Sequence, residues 1–244
     1  MPSTGASPRY RLIEIHRPLP ADYATNHVAN FGIEMSCIHN VFIRALNSLW
    51  VNAPLVNPAD ELGFAGYAST FCEILHFHHH GEEDIIFPFL EKQVSMQENV
   101  AQHAAMLAGL DAFAEYMQNV ANGSEKYDGL RVKGLIEIFG DVLTDHLHAE
   151  IPTLSPENLA KFDYKELSDM VAQHNKHIQD MPGKFTIFPL VATHHPWNEI
   201  PEWPADMPGP VKFFIKYITP LRYPSYWKFA PFNGRGQPQP AYSP

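Results

Sequence analysis

The sequence predicts an all-α protein whose centre is an antiparallel four-helix up-down bundle. Three observations predict this fold class. Apolar residues recur at helical spacing over long stretches, alternating β-branched runs are scarce, and the stretches are joined by short connections. Long helices joined by short loops pack most simply as antiparallel neighbours in a bundle.

The helical pattern covers five segments, and proline or glycine marks the connections between them. The segments run over about 26–52, 60–94, 96–122, 127–151 and 164–181. The stops are Pro54, Pro58, Asn122-Gly123-Ser124, Pro152 and Pro156. Gly63 and Gly66 fall near the start of the second segment and leave a later beginning open for that helix. The first four segments are the expected bundle helices, and the fifth is an added C-terminal helix.

Prolines crowd both ends of the chain and set its expected domain boundaries. From Pro182 onward they recur every few residues, a spacing that excludes long helices and predicts an extended tail. The tail is rich in Trp, Tyr and Phe as far as Pro231, so we expect it to be docked. Only the last thirteen residues, FNGRGQPQPAYSP, have the composition of a free end. The predicted organisation is an N-terminal extension at 1–25, the bundle at 26–155, and a C-terminal helix with a packed tail at 156–244.

The composition narrows the possible function classes. The formal net charge is −10 and no basic stripe is present, which argues against a nucleic-acid partner. No apolar segment reaches the roughly 20 residues that a membrane span needs, and the N-terminus lacks the apolar run of a signal peptide. Cys37 and Cys72 are too few for a disulfide framework and are expected as packed thiols in a reducing compartment. These features predict a cytoplasmic protein with no membrane partner.

The stretch HFHHHGEEDIIFP, at 76–88, concentrates ionisable side chains beside an apolar run. A helix turns about 100° per residue, so the direction of each side chain can be compared with the apolar stripe of its helix. His78 and Glu82 fall on the apolar side, and His79 lies at its margin. The remaining ionisable residues turn progressively toward solvent: His76, His80 and Glu83.

The other bundle helices repeat this arrangement. In DVLTDHLHAEIPTL, His146 and Glu150 share the apolar face one helical turn apart, and His148 points the opposite way. His39 lies on the apolar stripe of the first helix. His103 lies on the apolar stripe of the third helix, together with Met96, Val100, Leu107, Leu110 and Met117.

A metal centre explains this convergence better than salt bridges do. Each of the four helices presents an imidazole to the core, and two of them also present a carboxylate. Burying an unpaired carboxylate costs several kcal/mol, so these groups need a shared partner. Mutual pairs of His⁺ and Glu⁻ are the alternative interpretation. Imidazole and carboxylate groups are ordinary ligands of Fe, Zn and Mn, and carboxylates in a bundle core can bridge two cations.

These residues resemble the hemerythrin-like (HHE cation-binding) family, whose members fold as an antiparallel four-helix bundle around a non-haem di-iron site. The chain supplies His39, then HHHGEEDIIFP, then QHAAML, then HLHAEIPTL, in the family's order. The resemblance implies iron as the cofactor, with Glu82 and Glu150 as bridging carboxylates. It also implies histidine ligands at His39, His78, His103 and His146.

One departure from the family pattern concerns the third helix. Oxygen-carrying members place a second histidine four residues after the first, where this chain has Leu107. His79 could supply the missing nitrogen because it borders the inward face, and Glu83 is a further candidate. The departure argues against reversible O₂ carriage.

A second departure is the sequence after residue 155. His174 and His177 share the apolar stripe of the fifth helix, where they could complete the metal site, line a pocket or pack structurally, and packing is the favoured interpretation. His194 and His195 are expected at a loop surface. The aromatic stretch YPSYWKFAPF is expected to pack on the bundle, with a lid or a partner-binding strip as alternatives.

Two functions remain open at this level. The first is an iron-dependent oxidoreductase that activates O₂ and acts on a small molecule, which no residue identifies. The second is a non-catalytic module that binds iron or O₂ for storage or sensing. A substrate-sized cavity beside the metals would favour the first, and a tightly filled core would favour the second. A structural Zn or Mn site is a third option, and the two carboxylates argue against it.

Overall fold

In the computed structural model, residues 8–205 and 207–243 are described, and their regular structure is helical apart from one isolated bridge between Phe232 and Pro238. The longer helices are α1 His27–Asn52, α2 Glu61–Gly81, α3 Gln97–Ala121, α4 Gly129–Glu150, α5 Tyr164–Gln179, α6 Ile187–His194 and α7 Gly209–Tyr217. A π-helical turn, Glu82–Ile86, extends α2. Short segments complete the set: Phe87–Leu90, Pro156–Leu159 and Pro224–Trp227 are single α-turns, and Ala53–Leu55, Ile151–Leu154 and Thr219–Leu221 are 3₁₀ turns.

Side-chain caps define the starts of several helices. Asn26 accepts a hydrogen bond from Val28 N at α1, and Asp128 and Asp163 do the same for the first backbone N–H groups of α4 and α5. The second helix begins at Glu61, so the later start that its glycines left open is not adopted. Gly66 has another role, because a Cβ there would lie 2.0 Å from the ring of Tyr226, which packs on α2.

Helices α1–α4 pack into a helical bundle. Helix α3 contacts both α2 and α4, and α1 contacts both α2 and α4. Fully buried aromatic and aliphatic side chains fill the space between the four helices, among them Phe42, Leu46, Phe71, Phe113 and Phe139. The helix faces that the periodicity predicts to be apolar therefore meet in one core.

The third helix is rotated relative to the prediction. Val100 is 46% exposed and Leu107 is 47% exposed, so their predicted place on the core face is wrong. The buried stripe of α3 instead runs through His103, Met106 and Leu110. The buried residues of α3 are centred about one-fifth of a turn from His103, in the direction away from Leu107, which leaves Leu107 on the solvent side.

The N-terminal segment is tied to α1 by two asparagines. Asn47 Oδ1 accepts from Tyr10 N at 2.9 Å, and Asn47 Nδ2 donates to Tyr10 O at 2.8 Å. Asn40 makes the equivalent pair of hydrogen bonds with Ile13. Each carboxamide therefore satisfies both backbone groups of an extended residue that has no sheet partner.

The C-terminal region covers one side of the bundle with short helices rather than a wholly extended tail. Helix α6 contacts α1 and α2, and Trp227 and Phe229 join the main hydrophobic core. Residues 232–243 are also held in place, so the predicted free end is wrong. The Gln239 amide donates to three backbone carbonyls, and Tyr242 OH donates to Asp60 at 2.9 Å. Proline-rich turns leave carbonyls without backbone donors, and these side chains supply them.

The predicted surface position of His194 and His195 is also wrong. His194 is the last residue of α6 and is 0% exposed, and His195 is 1% exposed. The apolar stretch Ile187–Val191 forms a helix that inserts against the bundle and carries both histidines inward. The sequence pattern around Pro189 concealed this helix, because proline is tolerated in its first turn.

Candidate metal centre

Helices α1–α4 bring metal-ligand side chains together inside the bundle. All seven residues predicted as ligands are buried, none more than 8% exposed. They are His39 on α1, His78 and His79 on α2, Glu82 in the π-helical turn, His103 on α3, and His146 and Glu150 on α4. His79, which the helical wheel placed at the margin, lies with the others, and its ring centroid is 4.2 Å from that of His103.

The π-helical turn shapes the second-helix part of this cluster. Pro88 has no N–H, and its ring crowds the carbonyl four residues earlier, so the α-helical hydrogen-bond pattern cannot continue through Asp84. The chain adds one residue to that turn, and Phe87 N–H donates to Glu82 O. A uniform 100° rotation would point Phe87 away from the core, whereas the wider turn buries it against His103 at 5.3 Å between ring centroids.

The side-chain oxygen and nitrogen atoms converge to short distances. Glu82 Oε1 lies 2.9 Å from His78 Nε2, and Glu82 Oε2 lies 3.5 Å from His103 Nε2. Glu150 Oε2 lies 3.3 Å from His39 Nε2 and 3.9 Å from His146 Nε2. Each carboxylate therefore faces histidines from two different helices.

The three bundle histidines outside α2 are held in defined orientations by their Nδ1 atoms. His39 Nδ1–H donates to the carbonyl of Leu147 at 2.8 Å. His103 Nδ1–H donates to Glu83 Oε1 at 2.8 Å, and His146 Nδ1–H donates to Gln102 Oε1 at 3.2 Å. Because these partners only accept, each neutral imidazole keeps its proton on Nδ1 and directs an Nε2 lone pair into the centre.

The centre lacks donors for the groups that it gathers. The Nε2 atoms of His103 and His146 face each other at 2.9 Å, although both carry lone pairs in this tautomer. All four carboxylate oxygens of Glu82 and Glu150 are buried without a hydrogen bond, and so is His79 Nε2. The short contacts between histidine and glutamate have ion-pair distances but not hydrogen-bond geometry. Buried acceptors that face one another need a cation between them, so these residues fit a metal.

The pKa values of these groups reflect the burial of two carboxylates among histidines. Burial raises the pKa of Glu150 to about 7, and the neighbouring Glu82 carboxylate adds to the rise. Burial acts the same way on Glu82, but His78 and the other histidines outweigh it and hold its pKa well below the ordinary value. Burial lowers the pKa of His39, but Glu150 and Glu82 outweigh it and raise the value to about 9. Burial lowers the pKa of His146 to about 3.

Two groups of ligand atoms could each hold a metal ion. One consists of His79, Glu82, His103 and His146, and the other consists of His39, His78 and Glu82. Within each group the ligand atoms lie within 4.8 Å of one another. Glu82 belongs to both, and Glu150 contacts a histidine of each. The donors are imidazole nitrogen and carboxylate oxygen, a set that suits iron, manganese and zinc.

A cavity of about 450 Å³ lies beside this centre. His78 forms part of its wall, so one side chain belongs to both the centre and the cavity. The rest of the wall comes from α1, α2 and α5 on one side and from α6, α7 and the segment around Trp203 on the other. The C-terminal region therefore encloses a space that the four bundle helices alone would leave open.

The two histidines of α5 lie at this cavity and in neither ligand group. His177 packs as the favoured interpretation predicted: it stacks on Phe77 at 4.0 Å between ring centroids, and its Nε2–H donates to Phe77 O at 3.3 Å. Gly81 permits this approach, because a Cβ there would lie 3.0 Å from the His177 ring. His174 makes no hydrogen bond to any described residue, and it lines the cavity.

Sequence reasoning missed several residues of this site. Glu83 was considered as a ligand, but its carboxylate accepts from the far side of His103 instead. No sequence pattern identifies Gln102 or the Leu147 carbonyl as a hydrogen-bond partner of a ligand histidine, because that role depends on how neighbouring helices are rotated. The cavity wall was also missed, because it joins α1 to residues more than 150 positions later in the chain.

The fold and this site define a helical bundle whose imidazole and carboxylate groups together could hold a metal cation. Residues 38–157 match the family model of the hemerythrin HHE cation binding domain. The chain therefore contains a domain of the hemerythrin HHE family, and the family predicted from the motifs is confirmed.

The chain is also similar to the dimeric xanthone biosynthesis cluster protein R11 of Cryptosporiopsis sp. (strain 8999). The two are 28% identical over 232 residues, which cover 89% of this chain and 84% of that protein. The similarity extends well beyond 38–157 and so includes sequence outside the family domain. No solved structure matches this chain. Within the described residues, no helix is both long and apolar enough to cross a membrane.

Proposed function

We propose that this protein is a non-haem iron protein that binds two iron ions and oxidises a small molecule with O₂. The two ligand groups that share Glu82 support two metal positions, with Glu82 and Glu150 as the bridging carboxylates. Bound iron supplies the electrons that reduce O₂, which the side chains of this chain cannot supply themselves. Zinc or manganese would fit the same donors, and metal analysis distinguishes them.

The observation that carries the proposal is the cavity of about 450 Å³ that reaches His78. Its volume is in the range of small-molecule sites, roughly 300–1,000 Å³. A protein that only stores iron or senses it needs no such space beside its metal ligands. The cavity therefore favours oxidation of an organic molecule over the alternative, a non-catalytic module for iron or O₂ binding, storage or sensing.

The similarity to a protein named for a dimeric xanthone biosynthesis cluster also supports a role in the chemistry of a small organic molecule. That name concerns the biosynthesis of small aromatic molecules, and the similarity includes much of the sequence outside the family domain. We take the substrate of this chain to be a small organic molecule as well. The residues themselves do not single out one compound.

The chain's own residues have separate tasks in this proposal. The hydrogen bonds on Nδ1 of His39, His103 and His146 fix the rings so that Nε2 faces the centre. Residues 26–155 act as the metal-binding bundle, with its four helices antiparallel because their connections are short. Residues 156–244 act as the wall that encloses the cavity and excludes water from it.

The proposal is tested by metal content and O₂ uptake. Protein expressed in iron-supplied cells should contain about two irons per chain. After anaerobic reduction and removal of the reductant, it should consume O₂ in a single turnover. Glu82→Ala protein, treated identically, is the control and should contain little iron and consume no O₂ above buffer.

Two results would contradict the proposal. Two irons without O₂ uptake would leave the storage or sensing function. Zinc or one metal per chain, bound after growth with iron, would remove the oxidative chemistry altogether. Because the measurement needs no substrate, it can be made before any compound is identified.

A further inference from the structure

The cavity beside His78 has an aromatic and aliphatic wall. Six Phe and Trp side chains contribute to it: Phe31, Phe42, Phe77, Phe188, Trp197 and Trp203. Aromatic rings bury large areas and favour stacked or edge-on contacts with another ring. The wall is therefore suited to a flat apolar molecule.

The wall offers no Lys or Arg to an anionic ligand among the described residues that line it. The one carboxylate among those residues, Glu34, accepts from Tyr23 OH and from the backbone N–H of Ala205, which lies 3.2 Å from Glu34 Oε1. A carboxylate or phosphate group placed in this cavity would be desolvated without a cationic partner, so the wall selects against anions and suits an uncharged molecule.

His174 is a polar side chain that the protein itself leaves available in this wall. It makes no hydrogen bond to any described residue, whereas its neighbour His177 donates to the Phe77 carbonyl. His27, Asn175 and Gln179 also line the cavity, and His174 lies near the second-helix ligands. Its Cδ2 atom is 3.6 Å from the position that a Cβ of Gly81 would occupy, within one helical turn of His78. A neutral imidazole there can accept from a hydroxyl group or donate to a carbonyl.

We propose that this cavity binds an uncharged aromatic molecule that carries a hydroxyl or carbonyl oxygen, and that His174 holds this oxygen. The inference rests on the proposed function only in making the bound molecule a substrate of the metal centre. His174 determines specificity by hydrogen bonding, and the aromatic wall supplies affinity. The bound molecule lies against His78, with its polar atom at the α5 side of the cavity.

Three probes with the same ring system test the proposal: 2-naphthol, naphthalene and 2-naphthoate. Equilibrium dialysis at pH 7.5 against the full-length protein measures their dissociation constants. We expect 2-naphthol to bind about fivefold tighter than naphthalene, the effect of one hydrogen bond. We expect 2-naphthoate to bind at least about tenfold more weakly than 2-naphthol, because its charge has no partner.

Variants locate the binding and assign the polar contact. His174→Phe should weaken 2-naphthol to the affinity of naphthalene and leave naphthalene within about twofold. His174→Gln retains a donor and an acceptor and should restore part of the preference. Ala205→Trp should block all three probes by filling the cavity from its loop side. The matched control is His16→Phe, at a histidine whose side chain is 87% exposed, and it should change nothing.

Several outcomes would overturn the inference. These are tighter binding of 2-naphthoate than of 2-naphthol, no binding of any probe to the wild type, or an equal loss of 2-naphthol and naphthalene binding in His174→Phe. Unchanged binding in a folded Ala205→Trp protein would also overturn it. Dialysis of metal-free protein separates this result from the proposed function. If the protein selects among the probes but consumes no O₂, only the proposed oxidation is wrong. If it consumes O₂ but does not select among the probes, only the proposed binding mode of the cavity is wrong.

Discussion

Among the described residues, buried histidines lie in two regions, and only one of them gathers groups that could hold a metal. In the candidate metal centre, five imidazoles surround two carboxylates that have no hydrogen-bond donor. At the end of α6, His194 and His195 are equally buried, but neither forms an ion pair with a carboxylate of the described residues. The comparison shows that burial of a histidine does not by itself indicate a ligand.

The second region satisfies three of its four histidine ring nitrogens with the protein, and His195 Nδ1 is the one that lacks a partner among the described residues. His194 Nδ1–H donates to Leu190 O at 2.8 Å, and its Nε2 accepts from Tyr67 OH at 2.7 Å. His195 Nε2–H donates to Ile200 O at 2.8 Å, and its ring lies between Trp197 and Trp203. The charged group that acts on both is a cation, Arg44, which opposes a further positive charge.

The two regions should respond oppositely to mutation, and the largest expected effect is at Glu82. Glu82→Ala removes a ligand from both groups, so we expect the iron content to fall from about two per chain to near zero. The rise in melting temperature that iron produces should vanish with it. His78→Ala should also lose iron. Metal analysis and thermal unfolding with and without iron measure both effects.

Two histidines on the same helices that belong to neither ligand group provide the controls. His80 is exposed and His148 reaches only the carbonyl of Arg11 at the surface, so His80→Ala and His148→Ala should keep their iron and their stability. Equal loss of iron in all four variants would contradict the assignment of helix faces. It would mean that the cluster owes its shape to packing and not to a bound cation.

His194→Ala should produce the opposite pattern. The substitution removes a fully buried ring, its contact with Tyr67, and two hydrogen bonds. We expect it to lower the free energy of unfolding by about 2–4 kcal/mol. The iron content per folded chain should not change. Urea unfolding of metal-free protein and metal analysis of the purified variant measure the two quantities, and a loss of iron would show that this region supports the centre.

Part of the pH dependence of stability in the metal-free protein should come from the second region. Burial lowers the pKa of His194 to about 3 and that of His195 to about 4. Below the ordinary histidine pKa of about 6.5, the unfolded chain binds protons that the folded chain does not. The contribution of these two histidines to the free energy of unfolding should therefore be largest above about pH 6.5 and fall as the pH is lowered, by about 2 kcal/mol per histidine between pH 7.5 and 5.

A variant isolates this contribution. In His195→Gln, the amide can replace the hydrogen bond to Ile200 O but cannot titrate. The decrease in the free energy of unfolding between pH 7.5 and 5 should therefore be smaller than in the wild type by the contribution of one histidine, about 2 kcal/mol. Urea unfolding of metal-free wild type and variant at several pH values gives the difference. Parallel pH curves for the two proteins would mean that His195 is not the group that resists protonation.

Much of the metal centre could be predicted from sequence because it depends on local geometry. The direction of His78 relative to Glu82, or of His146 relative to Glu150, follows from the helical repeat alone. The prediction of helix faces failed where the helical repeat changed, or where packing against a neighbouring helix determined which face is buried. Pro88 forces the π-helical turn that buries Phe87, and the contacts of α3 on both sides turn Leu107 outward.

The remaining features depend on contacts between distant parts of the chain. The position of α6 is set by an apolar surface of α1 and α2, and nothing within residues 187–194 reveals it. The cavity arises only when this helix and α7 close over α5. The N-terminal asparagine contacts and the Gln239 contacts likewise join residues that the sequence does not pair.

The smallest expected effect concerns an exposed residue that adjusts the centre from outside. Glu83 accepts from His103 Nδ1 at 2.8 Å and so fixes the ring whose Nε2 faces Glu82. Glu83→Ala should weaken metal binding by about tenfold, the lower end of what such outer contacts contribute. Glu83→Gln should weaken it less, because its amide oxygen can still accept. Competition with a chromophoric chelator for zinc measures the affinities without redox chemistry.

Asp84→Asn is the matched control for this last comparison, since it removes a neighbouring exposed carboxylate that makes no contact with a ligand histidine among the described residues. A long-range effect of charge would weaken metal binding equally in Glu83→Gln and Asp84→Asn. A positioning effect through His103 would weaken it in the Glu83 variants only, and most in the alanine.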